Sequence, residues 1–239
     1  MALPKQTTPI YSATVPSTKK EVKFRPFLVK EEKALLVAQQ SEDPQVMLDT
    51  LKTMLKSCVQ TPIDVDNLAL FDIEYLFCQL RAKSVGEVVE MMVMCDKCPE
   101  EETKARVKLM FDLTLLQVNF PEGHTNKISL FDDVGVVMKY PTLDTVKQIE
   151  GLDQEKADDV FKMVITMIDY IYDDEEVHYA KDQTEEELGE FLGNLTQDQF
   201  SKIKNFFDTL PKLSKAVQYD CPVCGHHHEK VVEGLNSFF

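Results

Sequence analysis

Two cysteine pairs of identical spacing, Cys95-x-x-Cys98 and Cys221-x-x-Cys224, constrain this chain more than any other feature. Two residues between cysteines let one tight turn present both sulfurs to one ion. Zn²⁺ takes four such thiolates in a tetrahedron at about 2.3 Å. Gly225 follows the second pair, where a turn of this kind favours positive φ. Paired knuckles usually lie about 15–20 residues apart; here 122 residues separate Cys98 from Cys221. A shared site therefore has to be assembled from distant parts of the chain, and it closes a long loop. Four thiolates leave no open position for water, so the expected role of Zn²⁺ at Cys95, Cys98, Cys221 and Cys224 is structural.

Other readings stand beside this one. A single C-x2-C can be a redox dithiol of the thioredoxin kind, although neither pair opens a helix in a βαβ unit. The two pairs can also be unrelated. His226, His227 and His228 follow the second pair; one of them can replace a cysteine, or all three can form a solvated hairpin tip. Cys58 and Cys78 fall in apolar helical stripes and read as buried thiols.

Composition removes several classes of function. The 239 residues carry 26 Lys and Arg against 41 Asp and Glu, a net charge of −15. Phosphate neutralisation needs a basic patch, and the Lys19-Lys20 to Arg25 stretch is only a short candidate, so nucleic acid is not expected as a partner. The same charge argues against a polybasic membrane anchor. No window approaches the roughly 18 uninterrupted apolar residues of a membrane span, and the first residues lack the apolar stretch of a signal peptide. With 8 glycines, no phosphate-binding loop or dinucleotide fingerprint can be found. A reducing cytosol is the expected compartment, where close cysteines are more often metal-binding or redox-active than disulfide-linked.

The pattern along the chain predicts an α+β fold, with two helical blocks around a small antiparallel β region that holds the split zinc ribbon. Residues 1–23, punctuated by Pro9 and Pro16, read as an extended N-terminal arm whose removal would leave the body folded. Residues 24–83 read as a helical block; Asp43 is the N-cap and Pro44 the first helical residue of its second helix. Residues 84–141 read as β-rich, with the first knuckle and a charged turn at 99–104. Residues 142–214 read as a second helical block, with candidate helices at 143–149, 156–172, 184–191 and 196–209. Thr184 with Glu187 and Thr196 with Gln199 are capping boxes. Residues 215–239 read as a hairpin bearing the second knuckle.

Other constellations resemble catalytic sites. Asp173 to Glu176 with His178 can bind a hard cation or do acid–base chemistry, but the run reads better as a solvated turn. Asp132-Asp133 reads as a turn between strands, and His124 lies in a loop with no nucleophile nearby. Met91, Met92 and Met94 read as core or as an adaptable binding face. No nucleophile elbow, H-E-x-x-H or EF-hand loop is present.

Several stretches together carry a resemblance: Tyr11 to Phe27, Val29 to Ala38, Met138 to Thr142, the Cys221-Pro-Val-Cys224-Gly225 knuckle and the ending Gly234 to Phe239. The chain resembles the small baseplate hub assembly proteins of T-even-like contractile-tailed phages over nearly its whole length. The resemblance implies a non-enzymatic assembly factor, chaperone or minor hub component. Its implied partners are baseplate hub or tape-measure proteins, with no nucleic acid, membrane or small-molecule substrate. It implies work in the host cytoplasm during assembly, and leaves open retention in the virion tail baseplate. The family supplies no catalytic residues; the zinc ligands rest on spacing alone. The alternative is a thiol-dependent redox protein using one C-x2-C pair.

Overall fold

The computed structural model describes residues 7–41, 43–99, 103–153 and 155–234. The last five residues of the ending that carries the resemblance, and residues 100–102 of the charged turn, lie outside the described residues. The described elements, in chain order, are β1 (Tyr11–Thr14), β2 (Glu21–Phe24), α1 (Val29–Gln40), α2 (Pro44–Cys58), α3 (Leu70–Ser84), β3 (Val88–Met94), β4 (Arg106–Asp112) and β5 (Gln117–Asn119). There follow β6 (Lys127–Phe131), β7 (Val134–Met138), α4 (Leu143–Ile149), α5 (Ala157–Thr166), β8 (Ile168–Tyr172), β9 (Val177–Tyr179), α6 (Glu185–Gly193), α7 (Gln197–Asp208), β10 (Lys212–Asp220) and β11 (His227–Glu233). All strand pairings among them are antiparallel, so the fold is mixed α+β. No described helix is long and apolar enough to cross a membrane.

The chain forms two compact units, one from residues 1–119 and 212–239 and the other from residues 120–211. The first unit carries α1–α3 and three small sheets: β1-β2, β3-β4 and the three-stranded β11-β10-β5. Strand β5 pairs with β10 in a register that sets Asn119 opposite Lys212. The second unit is thus an insertion whose two chain ends leave from paired positions.

Residues 11–24 are not a detached arm. They form a hairpin, with Val15, Val22 and Phe24 buried in the first unit. Burying these alternate apolar side chains is what holds the segment down. Ser17, in its turn, donates its backbone N–H and its hydroxyl to the buried Asp72 carboxylate on α3. At the entry to α1, buried Glu31 accepts hydrogen bonds from Arg25 Nη2 (2.9 Å), the Leu28 backbone N–H (2.8 Å) and the Ser57 hydroxyl (3.1 Å). Burial by itself would raise this carboxyl, but those donors and the Arg25 charge outweigh it and bring the pKa from 4.5 to about 2.

The second unit packs α5, α6 and α7 against the sheet β6-β7-β8-β9 around Ile128, Val136, Ile168, Leu192, Ile203 and Phe206. Strands β6 and β7, grouped by sequence with the first cysteine pair, belong here because β7 pairs with β8. The expected all-helical run over 156–172 ends at Thr166, and the chain passes into β8. Both capping boxes are present, at Thr184/Glu187 and Thr196/Gln199. Gly135 in β7 is required by packing: a Cβ there would fall 2.6 Å from the Ile128 carbonyl oxygen and into the Tyr172 hydroxyl.

Candidate metal centre

Each cysteine pair occupies the tip of a two-stranded hairpin in the first unit. Cys95 and Cys98 lie between β3 and β4, and Cys221 and Cys224 lie between β10 and β11. The two turns use the same local chemistry. The Lys97 backbone N–H points at Cys95 Sγ at 3.4 Å, and the Val223 N–H points at Cys221 Sγ at 3.4 Å. In the second turn Gly225, at φ 69°, donates its N–H to the Cys221 carbonyl, and the Cys221 N–H reaches the His226 carbonyl.

The distant pairs meet. Cys95 Sγ lies 3.7 Å from Cys224 Sγ, and Cys98 Sγ lies 3.8 Å from Cys221 Sγ. All four sulfurs fall within 4.8 Å of one another. A tetrahedron with metal–sulfur bonds of about 2.3 Å has sulfur–sulfur edges of about 3.8 Å, so the thiol set fits one thiophilic ion. The separations are far too long for disulfides, and all four thiols are free. Cys95 and Cys221 are buried against Ala105, and Cys224 reaches solvent.

The surroundings set where negative charge first appears. Backbone N–H groups of Cys224 and Val223 hold Cys221 down to about 7, against the opposing effect of burial. Burial and the crowding thiols of Cys224, Cys221 and Cys95 push Cys98 up to about 12. The two turns thus treat their cysteines unequally: Cys221 gives up its proton more easily than Cys98.

Of the three histidines, His226 meets this cluster through its backbone, and His228 reaches it with its side chain. His228 sits within β11, not at a solvated tip, and is 4% exposed. Its Nε2 lies 3.1 Å from Cys95 Sγ, its ring stacks on Tyr219 at 4.7 Å, and its Nδ1 faces the Asp96 carboxylate at 3.5 Å. With the proton on Nε2, the ring donates to the Cys95 sulfur. Cys95, Asp96 and His228 form a second close group that shares only Cys95 with the first. This places His228 behind a thiol and outside the four-sulfur set. The sequence does carry a signal for it: His228 and Val232 lie on one face of a period-two strand. His227 pairs with Asp220 at 2.7 Å and is exposed.

The other candidates lie elsewhere. Cys58 and Cys78 are fully buried, and burial pushes their thiols up to about 11 and about 12, as suits inert core cysteines. Asp173 caps its own turn by accepting the Glu175 and Glu176 backbone N–H groups, with His178 at 3.5 Å. His124 bridges Thr209 (2.9 Å) and the Tyr140 hydroxyl (3.1 Å), a packing contact. Met92 is exposed on β3, and Met91 packs on the core of the first unit.

A family model described as T4 bacteriophage base plate protein matches residues 8–239. The chain is also 25% identical over 220 residues to the baseplate hub assembly protein gp26 of Enterobacteria phage T4, covering 92% of this chain and 93% of that one. No solved structure matches.

Proposed function

The chain belongs to the T4 bacteriophage base plate protein family, and from that premise we propose that it is a non-enzymatic assembly factor of a phage tail baseplate hub. The observation that carries this reading is the match, over 92% of the chain, to a protein named for hub assembly. It acts as a chaperone or minor hub component on hub or tape-measure proteins, in the host cytoplasm during tail assembly. Its body is stapled by a structural Zn²⁺ at Cys95, Cys98, Cys221 and Cys224. The sulfur spacings of 3.7 and 3.8 Å support this ligand set, which makes the two hairpin tips a split zinc ribbon. The redox alternative is less well supported, because the two pairs approach each other at 3.7 and 3.8 Å, within reach of one ion, where a redox dithiol would need only one pair.

Co-expression of the tagged chain with the hub proteins of its own phage, followed by affinity capture and native mass spectrometry, tests the assembly reading. The expected result is a stoichiometric complex with hub or tape-measure protein and one zinc per chain. Capture of the chain alone, under conditions where the hub proteins are soluble, refutes the assembly reading. A chain free of metal refutes the zinc reading.

A further inference from the structure

The negative charge of this chain is concentrated in one place. Residues 120–211 hold eight lysines and no arginine against 21 Asp and Glu, a net charge of −13; the remainder of the chain nets only −2. The first unit, which holds the metal centre, is therefore almost neutral, and the inserted unit is a polyanion.

That unit also carries an apolar groove of about 340 Å³ between the sheet and α6. Its walls are Phe131, Tyr172 and Phe191, with buried Leu188 at the base, and Asp173 and Glu187 at its rim. Phe131 is 39% exposed, a large aromatic left facing water. The exposed carboxylates Asp132 and Asp133 follow Phe131 directly, Asp174 to Glu176 follow Asp173, and Glu186 and Glu190 neighbour Glu187 on α6. The Tyr172 ring already takes one cation, Lys127 Nζ, at 4.7 Å from its centroid, and Lys181 Nζ lies 5.4 Å from the Tyr179 ring. Aromatic faces and carboxylates together select cationic side chains with apolar stems, while like charge repels acidic chains and phosphates.

We propose that this groove is the docking site for a basic, apolar segment of a partner protein, with Lys or Arg side chains at the carboxylate rim and an aliphatic or aromatic side chain against Phe131 and Phe191. The inserted unit is then the partner-binding part of the molecule, and the other unit carries the four-cysteine cluster. This rests on the assembly reading only in taking the natural occupant to be a protein. A chain that captures hub proteins yet ignores the probe below refutes the groove alone.

The test uses the full chain and the hexapeptide acetyl-KFRLKR-amide, followed by calorimetric titration and by amide chemical-shift mapping at low and physiological salt. The expected result is saturable binding that weakens with salt, with shifts centred on Phe131, Tyr172 and Phe191. The variants F131S and E187Q each weaken it by about tenfold, whereas E155Q, the same charge change outside the groove, stays within about twofold. Acetyl-EFELEE-amide does not bind. Melting curves of each variant verify folding, and shift mapping on the unaltered chain gives an answer independent of them. No binding at about 1 mM peptide, shifts centred outside the groove, or equal losses for E187Q and E155Q overturn the proposal.

Discussion

On the zinc reading, removing one thiol from the candidate metal centre should cost the first unit the whole contribution of the staple. Cys98 and Cys221 are separated by 122 residues, and linking such positions in the unfolded chain removes about 5 kcal/mol of its conformational freedom. For a unit of this size, each kcal/mol moves Tm by about 2–4 °C, so the loss corresponds to about 10–20 °C. The hydrophobic cluster of Cys78, Phe111, Leu113, Leu116 and Leu213 remains, so the metal-free unit should still fold at low temperature. Calorimetry is the suitable assay, because the chain has no Trp to report by fluorescence. The set is the unaltered chain with and without chelator, Cys98→Ser, Cys221→Ser and the double variant, each with its zinc content. Both single variants and the chelated chain should drop by the same 10–20 °C, and the double variant should drop no further. If the two substitutions add, if either single variant keeps one zinc, or if chelation moves Tm by less than about 2 °C, the shared-site reasoning is refuted.

Three further outcomes follow from contacts described above. Substituting His228→Phe keeps a ring on Tyr219 but removes the donor to Cys95, and should weaken zinc binding by about 10–100-fold in competition with a chromophoric chelator; a change within about twofold would show that the contact is only packing. Gly135→Ala drives a methyl into the Tyr172 hydroxyl and the Ile128 carbonyl, and should destabilise the inserted unit by about 2–4 kcal/mol in denaturant melts, with a loss under about 0.5 kcal/mol counting against it. Glu31 has its folded pKa lowered to about 2, so its contribution is present above its unfolded pKa and lost as pH falls from about 5 towards 2; the unaltered chain should lose about 2 kcal/mol over that range relative to Glu31→Gln, and parallel pH profiles would refute it.

What the sequence made legible is local chemistry. A C-x2-C turn is encoded in four or five residues, and the expectation that one ion would want four thiolates was enough to foresee that the two turns meet, as the four sulfurs do. Capping boxes at Thr184 and Thr196 were readable for the same reason. The features that escaped depend on partners remote in sequence. Strands β1 and β2 are four residues each, too short for alternation to stand out from the Pro-punctuated stretch around them, and only packing over Asp72 and its neighbours makes them a hairpin. Strand β8 follows α5 with no Gly or Pro to mark the change, so one apolar run covered both. The unit boundary was displaced as a result, since it depends on β7 pairing with β8. His228 was hidden among three consecutive histidines, of which only strand register selects the inward one.

The pairing of Asn119 with Lys212 also fixes an order of events at the ribosome. At about 5–20 residues per second, Cys98 is synthesised roughly 6–25 s before Cys221. Throughout that interval β5 lacks β10, and the first knuckle holds two sulfurs where a metal needs four. The inserted unit is finished meanwhile and can fold first, while the first unit still lacks its last two strands. On the zinc reading proposed above, metal capture is the closing event of biogenesis, and a nascent chain broken off before Cys221 lacks half of the four-sulfur set.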